Sequence, residues 1–516
     1  MSINRKLFVG STNEGKLLGN NIIICSDYDD LYDVIRSEKI EYINYSFCDT
    51  FGSLHHITVS SRTIKSGKDL EKGIAVDSSS VRGMKFDDFS SDVLVIPDTE
   101  DGWIDPFFTQ KTLHLSCSVK YPSGETSRGC VRSIAKRAEE MLSRSGIADK
   151  CLVGPETELF IFETVSYSNS QNHSFFCLDG DEAYWNTGND AIYHPHVRPN
   201  LGSRRQLKQN YCAPYPVDRD LSLRSEIFEK LEKIGIPVEK HHHEVATCQH
   251  EIGVHCSSLL RSADTLMSAR YIIKGVAHKN NKTATFMPKP LSNDNGSGMH
   301  INISLWKNDE NIFFDSDSSF HNLSDNALYF IGGILSHTKS IMAFTNPTTN
   351  SYKRLVNGYE TPTKLSYAGG NRNSAIRIPI SGSLDPKTQR IEFRVPDSSA
   401  CPYLAFSAVL CAGIEGIQRK IHPHTLLNSF SNCNTNSNFN CNINSSDHKY
   451  CSKISELALP KSLSEALSFL ENDHDYLIRD GVFSQEFIFN YIHIKRDEIK
   501  IIESVPTPKE FELYYD

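Results

Sequence analysis

Gly154-Pro155-Glu156-Thr157-Glu158-Leu159-Phe160-Ile161-Phe162 reads as a β-strand whose alternate residues send Glu156 and Glu158 to one face. Paired acids on a strand are ordinarily a solvated face, so this segment gains meaning from others far away in the chain. His243-Glu-Val-Ala-Thr-Cys-Gln-His-Glu251 carries Glu244 and Glu251, and Asn295-Gly-Ser-Gly-Met-His300 places a histidine after a glycine-rich run. With Glu392 from Arg390-Ile-Glu-Phe-Arg394 these make five glutamates and one histidine, a donor set for two divalent cations. Carboxylate oxygens with one imidazole suit magnesium or manganese better than zinc.

Strand parity orders the rest of the site. Glu244 and Glu251 are seven residues apart, an odd number, so joint ligation requires a bulge or turn between them. In His241-His242-His243 neighbours face opposite ways, which makes at least one of the three structural. His300-Ile-Asn-Ile-Ser-Leu305 alternates strictly and puts His300, Asn302 and Ser304 on one face, while the glycines before it allow close approach of a ligand to the main chain. Arg390, Glu392 and Arg394 share a face by the same rule, and Arg354, Arg372 and Arg377 lie upstream. Guanidinium forks match phosphate and carboxylate, and arginines beside an acidic metal site are the parts that phosphoryl transfer needs. The chain has no GxxxxGK[ST] loop, so a nucleotide would be held by metals and arginines.

The chain has 516 residues, 39% of them hydrophobic, and a formal net charge of -9, which argues against a general nucleic-acid surface. No apolar stretch reaches membrane-spanning length and the first residues lack a secretory pattern, so a cytoplasmic location is expected. Fourteen cysteines without a CxxC pair predict reduced, mostly buried thiols. Tyr42–Phe47 and Leu54–Val59 flank Asp49-Thr-Phe-Gly52 as a hairpin, and strand-rich text continues to about residue 118. From Val131 the apolar period becomes helical, ending at Gly146; a second helix runs from about Asp220 to Ile234, and a third covers Ala405 to Lys420. The expected division is a polar segment 1–20, a β-rich domain 21–120 and an α+β domain 121–516. The Asn/Ser-rich stretch of about 428–448 is expected to be a disordered insertion, and the aromatic terminus Pro508–Asp516 to dock, as on another subunit.

Together these segments resemble type I glutamine synthetases over nearly the whole chain, from Tyr42-Ile-Asn-Tyr-Ser-Phe-Cys-Asp49 to Glu510-Phe-Glu-Leu-Tyr-Tyr515. The resemblance implies a β-grasp domain, a catalytic domain built as an antiparallel-sheet funnel flanked by helices, and active sites between subunits of a dodecamer of two hexameric rings. It implies that Glu158, Glu244 and Glu251 hold one Mg2+ or Mn2+ and Glu156, His300 and Glu392 a second. It assigns Asn295, Gly296, Arg354 and Arg394 to glutamate, and Arg372, Arg377, Lys387 and Arg390 to the ATP phosphates. Asn302 falls in the phosphate region and Ser304 on the adenine side; Asp77 of a neighbouring subunit and Tyr211 form the ammonium pocket; and Glu360 belongs to a flap that excludes water. The implied reaction is ATP-dependent ligation of ammonia to glutamate through γ-glutamyl phosphate. A γ-glutamyl-amine ligase shares the metal and ATP positions, and a silent structural homologue would shed clustered acids that are costly to keep without metal.

Departures from the type I pattern are Asn302 in place of a second histidine, Asn357 where proline is usual in the flap, Met84, Ser78, Ser398 and Cys401. Asn357 is expected to loosen the flap. The Asn-Leu-Tyr-Asp-Leu adenylylation signature is missing, which leaves Tyr450 as its nearest substitute.

Overall fold

The computed structural model describes residues 16–18, 21–85, 91–188, 202–380, 385–431 and 457–515. The N-terminal sheet contains β1 Lys16–Leu18, β2 Ile22–Ile24, β3 Tyr42–Cys48, β4 Leu54–Ser60, β5 Ile74–Asp77, β6 Asp92–Ile104 and β7 Thr112–Lys120. Its order is β1-β2-β6-β7-β3-β4 with β5 on β6, and β3 runs parallel to β7 at its centre. The anticipated hairpin forms with Tyr45 opposite Ile57. In its turn, Asp49 Oδ1 accepts the N–H groups of Phe51 and Ser53, and Gly52 takes φ +88°. The helix Tyr28–Ser37 packs Leu31, Val34 and Ile35 into this sheet's core. Lys16–Leu18 pairs with Ile22–Ile24, so the sheet begins inside the polar segment 1–20.

The larger sheet contains β8 Lys150–Phe162, β11 Val238–His243, β12 Gln249–Val254, β13 Ser257–Ser258, β14 Thr283–Thr285, β15 Met299–Lys307, β16 Glu310–Asn311, β17 Tyr367–Gly369, β18 Ile376–Ile378 and β19 Ile391–Phe393. Its order is β11-β12-β8-β15-β19-β18-β17, antiparallel except for the pair β17/β18. β9 Thr164–Ser170 and β10 His173–Asp179 form a separate hairpin. One face of β15 sends Ile301, Ile303 and Leu305 into the main core, where the helices Asp325–Thr345 and Pro402–Gln418 pack together. That burial fixes the strand's parity and forces His300, Asn302 and Ser304 onto the other face.

Helices Val131–Ser145 and Leu221–Lys233 form where the apolar period places them, the first ending in left-handed Gly146. Arg132 grips Asp264 through Nε and Nη2, both at 2.8 Å, and reaches Asp98 at 2.8 Å, tying the two sheets together through the helices between them. The helix Pro423–Ser431 runs four residues into the stretch expected to lack order, a correction to its start; residues 432–456, Tyr450 among them, lie outside the described residues. Eight of eleven described cysteines are buried and none is in a disulfide. No helix among the described residues is long and apolar enough to cross a membrane.

Candidate active site

Adjacent strands bring the acids together by register. Glu251 of β12 lies opposite Glu158 of β8, Glu156 of β8 opposite His300 of β15, and Asn302 of β15 opposite Glu392 of β19. Ligand atoms of Glu156, His300 and Glu392 all fall within 4.8 Å of one another. His300 Nδ1 stands 3.2 Å from Glu156 Oε2 and 3.8 Å from Glu392 Oε1. Burial pushes the Glu156 carboxyl upward, but His300 outweighs it and holds the group at about 2. Glu392 is 1% exposed and meets two cations, Arg377 Nη1 at 2.5 Å and Arg394 Nη1.

The second cluster differs from the implied one. Its tight triad is His242, Glu244 and Glu251, again within 4.8 Å, with His242 nitrogens 3.6 Å from Glu244 Oε1 and 3.5 Å from Glu251 Oε1. Glu158 stands beside it, close enough that its charge, after burial, drives the Glu244 carboxyl well above its ordinary range. Burial likewise raises Glu158, with the charge of Glu251 adding to it against His300 and Arg354. The other two histidines are structural: His243 Nε2 pairs with Glu182 at 2.6 Å, and His241 sits edge-on to Phe228. The anticipated turn exists. Glu244 N–H donates to Gln249 O at 2.7 Å and Cys248 takes φ +60°, which folds Glu244 and Glu251 to one side.

These donors fit divalent cations. They are hard oxygens with one imidazole per cluster, the carboxyls of Glu158 and Glu244 crowd at the second cluster and are pushed upward, and Glu251 Oε1 is buried with no hydrogen-bond partner among the described residues.

Behind the acids the glycine segment works by absence of side chains. A Cβ on Gly298 would lie 2.5 Å from Arg354 Nη2 and 2.9 Å from His300 Nε2, and one on Gly296 would lie 2.3 Å from Pro288 O. Gly298 N–H donates to Glu158 Oε2 at 2.7 Å. Arg354 is 2% exposed and donates from Nη1 to the carbonyls of Val395 (3.0 Å) and Pro396 (3.3 Å), and from Nη2 to that of Arg394 (3.4 Å). Asn295 is buried beside it. Parity could not reveal Gln249 or Ser398. Gln249 Nε2 donates to Glu158 Oε2 (3.2 Å) and Gly296 O (3.1 Å), whereas the single Ser398 hydroxyl proton is shared between Glu158 O (2.6 Å) and Gly298 O (2.7 Å).

Arg390 Nε donates to Asn302 Oδ1 at 2.9 Å, and Asn302 Nδ2 reaches Glu156 Oε1 at 3.3 Å, so Asn302 couples Arg390 to Glu156. Ser304 Oγ accepts from Trp306 Nε1. Arg372 lies 5.8 Å over the Tyr211 ring, whose edge meets His242, and its carbonyl accepts from Arg394 Nε at 2.8 Å. Glu360 is exposed at φ +56° on a cleft of ≈ 320 Å³ that Asn357, Gly358, Thr361, Thr363 and Asn373 also line. Lys387 occupies an exposed turn, Pro386–Thr388. Asp77 stands apart: it ends β5 in the N-terminal sheet, exposed, with hydrogen bonds from Ser79 and Ser80 lowering its pKa.

Comparison with known proteins agrees with this arrangement. Residues 39–122 match the model of the glutamine synthetase β-grasp domain, and residues 128–514 that of the glutamine synthetase catalytic domain. A glutamine synthetase of Nostoc sp. is 42% identical over 489 residues, 93% of this chain and 98% of the relative. One from Aquifex aeolicus is 43% identical over 490 residues, 95% of this chain and 98% of the relative. Among solved structures, Plasmodium falciparum glutamine synthetase superposes with a TM-score of 0.86 at 32% identity, covering 96% of this chain and all of that one. A GmaS/ADP complex gives 0.73 at 25%, covering 95% of this chain and all of that one.

Proposed function

The chain belongs to the glutamine synthetase family, and from that membership we propose how its own residues divide the ATP-dependent ligation of ammonia to glutamate. The observation that carries the reading is the pair of acid clusters on adjoining strands, flanked by Arg372, Arg377, Arg390 and Arg394.

Glu156, His300 and Glu392 would hold one Mg2+ or Mn2+, and Glu244 and Glu251, with Glu158 and His242 beside them, a second. Bound cations neutralise charge on the phosphate oxygens. Arg377, Arg390 and Lys387 receive the ATP phosphates, and Asn302 aims Arg390 at them; Ser304 lies toward the base. Asn295 and the Gly296 main chain take the α-amino and carboxylate end of glutamate, with Arg354 and Arg394 setting the wall. Glutamate's side-chain oxygen then attacks the γ-phosphorus and ADP leaves, converting a poor acyl donor into γ-glutamyl phosphate. Arg372 compensates charge on that acyl phosphate. Asp77 of a neighbouring copy, facing Tyr211, takes a proton from ammonium; the freed ammonia attacks the acyl carbon and phosphate departs. Glu360 closes the flap against water, which would otherwise hydrolyse the intermediate.

Exposure of Asp77 and of Phe511, Leu513, Tyr514 and Tyr515, between 57% and 80% for the last four, supports a ring assembly that covers both surfaces. We take the assembly to be a dodecamer, the location cytoplasmic and the domain junction to lie near residue 121. The test is ATP- and magnesium-dependent phosphate release with glutamate, comparing ammonium with a panel of primary amines and identifying products by mass. Ammonium-dependent glutamine sustains the reading. Turnover with an amine alone makes the protein a γ-glutamyl-amine ligase, and no turnover leaves a structural homologue.

A further inference from the structure

Tyr359 of the Asn357–Glu360 loop meets two lysines that the ligase chemistry leaves unassigned. Lys208 Nζ stands 3.9 Å from its ring centroid and Lys289 Nζ 4.3 Å. Both distances lie within the range where an ammonium is drawn to an aromatic face. Lys208 Nζ also donates to Gly358 O at 3.2 Å, so it grips the loop through main chain and ring together.

Each lysine is rooted in a different part of the site. Lys208 is three residues before Tyr211, whose ring meets Arg372 and His242. Lys289 Nζ donates to the carbonyl of Asp294, immediately before Asn295 and Gly296, and its backbone is pinned by Asn350 through N–H to Oδ1 at 2.7 Å and Nδ2 to O at 3.0 Å. Burial, then the charges of Lys208 and Arg354, bring the Lys289 ammonium down to about 8 against the pull of Asp294. The ends of the loop are tied by Thr361 Oγ1 to Val356 O at 3.0 Å and by Thr363 Oγ1 to Asn357 Oδ1 at 3.1 Å, which leaves residues 358–360 to the lysines. Gly358 and Glu360 both take positive φ, at +89° and +56°, a conformation that costs a glutamate energy unless its surroundings impose it.

We infer that Lys208 and Lys289 are positioning residues which clamp Tyr359 and thereby hold Glu360 closed over the site, linking the flap to the Tyr211 wall on one side and to the glutamate segment on the other. The inference rests on the glutamate–ammonia ligase reading. It identifies what the flap closes against: a cation from the acceptor side and a cation from the donor side, meeting on one ring. Losing either cation–π contact shifts the balance of open and closed flap by roughly two- to thirtyfold.

The experiment measures phosphate released per glutamine formed, at saturating glutamate and ammonium, for the full-length assembled enzyme. Wild type and Lys208→Arg, which keeps a cation, are expected to give one to one. Lys208→Met, Lys289→Met and Tyr359→Leu are expected to release excess phosphate, approaching the limit set by Glu360→Ala, while Tyr359→Phe keeps the ring and restores coupling. Lys208 is exposed, so its replacement leaves the core intact. A ratio of one for both methionine variants overturns the clamp. Should the wild-type enzyme make no glutamine, the ligase reading fails separately. The clamp is then decided by amide hydrogen exchange over residues 355–361: faster exchange in Lys208→Met supports it, and unchanged exchange refutes it.

Discussion

Gly298→Ala tests whether the glycine segment shapes the site by leaving room. The added methyl would sit 2.5 Å from Arg354 Nη2 and 2.9 Å from His300 Nε2, whereas ordinary contact begins at 3.4 Å, so these atoms must retreat by about 0.9 and 0.5 Å. Arg354 has nowhere to go. It is 2% exposed, and its guanidinium already serves the carbonyls of Val395, Pro396 and Arg394. Overpacking of this kind costs ~1–3 kcal/mol, and leaving one carbonyl unpaired costs a similar amount. His300 is displaced from Glu156 and Glu392 as well, and disturbed ligand orientation typically lowers metal affinity by roughly 10–100-fold. The assay pairs calorimetric titration with Mn2+ and thermal unfolding of the metal-free protein. Gly188→Ala serves as control, because no described residue lies within 4 Å of a Cβ there. A Gly298→Ala protein with wild-type Mn2+ affinity and unchanged unfolding would refute the argument.

Other consequences follow from the charges. Folded Glu158 and Glu244 have pKa values raised by burial first and by neighbouring carboxylates next, so the native state holds protons that the unfolded chain loses earlier. Metal-free stability should therefore fall as pH rises through that range, and Mg2+ should raise the melting temperature more at pH 8 than at pH 5.5; equal shifts would count against the crowded-carboxylate account. Burial lowers the pKa of His337, but Asp473 and Glu415, at 2.9 and 2.5 Å, raise it to about 9. Its contribution is fully present below 6.5 and lost as pH rises through about 9; from 6.5 to about 9 this is at most ~3 kcal/mol, and less because Asp473 is 38% exposed. His337→Gln should flatten unfolding midpoints between pH 6 and 9. Asn302→Ala frees Arg390 Nε and should raise the KM for ATP roughly tenfold, the worth of one hydrogen bond to a charge, while Asn302→His changes it little. Mixed assemblies of Asp77→Asn and Glu392→Gln chains should recover activity that neither parent has; no recovery would mean that each chain builds its site alone.

Strand parity made most of the site legible, because side-chain period is a local property that burial of the opposite face enforces. Ile301, Ile303 and Leu305 are 0–1% exposed, and that alone commits His300, Asn302 and Ser304 to the site. The odd spacing of Glu244 and Glu251 demanded a turn, and one is there. Which histidine joins that turn was not legible, since His242 reaches the acids only because β11 ends at His243 and the chain reverses through Cys248. Gln249 and Ser398 escaped for another reason. They act on the Glu158 and Gly296–Gly298 segments across 47 to 240 positions, and no period in the sequence records a contact at such separation. At Asn357, where loss of proline is expected to loosen the flap, the structure adds a contact that no local rule announces: Asn357 Oδ1 accepts from Thr363 Oγ1 at 3.1 Å.

Asp77 marks the remaining boundary between sequence and site. Its place in Val76-Asp-Ser-Ser-Ser80 is plain in the sequence, but within one chain it faces solvent at the end of β5, its carboxylate turned to Ser79 and Ser80. Most other members of the site lie on β8, β11, β12, β15, β18 and β19 or the segments joining them, Arg354 on the short helix Ser351–Arg354, and register brings the acids on the strands to within a few ångströms. No register connects β5 to that sheet. A lone carboxylate at a surface is cheap to keep solvated, whereas five carboxylates on adjoining strands repel one another unless cations are bound. The acids therefore bear a folding cost that metal binding would offset within the chain, whereas Asp77 bears none. On the proposed reading that asymmetry would give assembly a chemical meaning: the phosphoryl-transfer half of the site comes with the fold, and the ammonium half would be completed by a second copy.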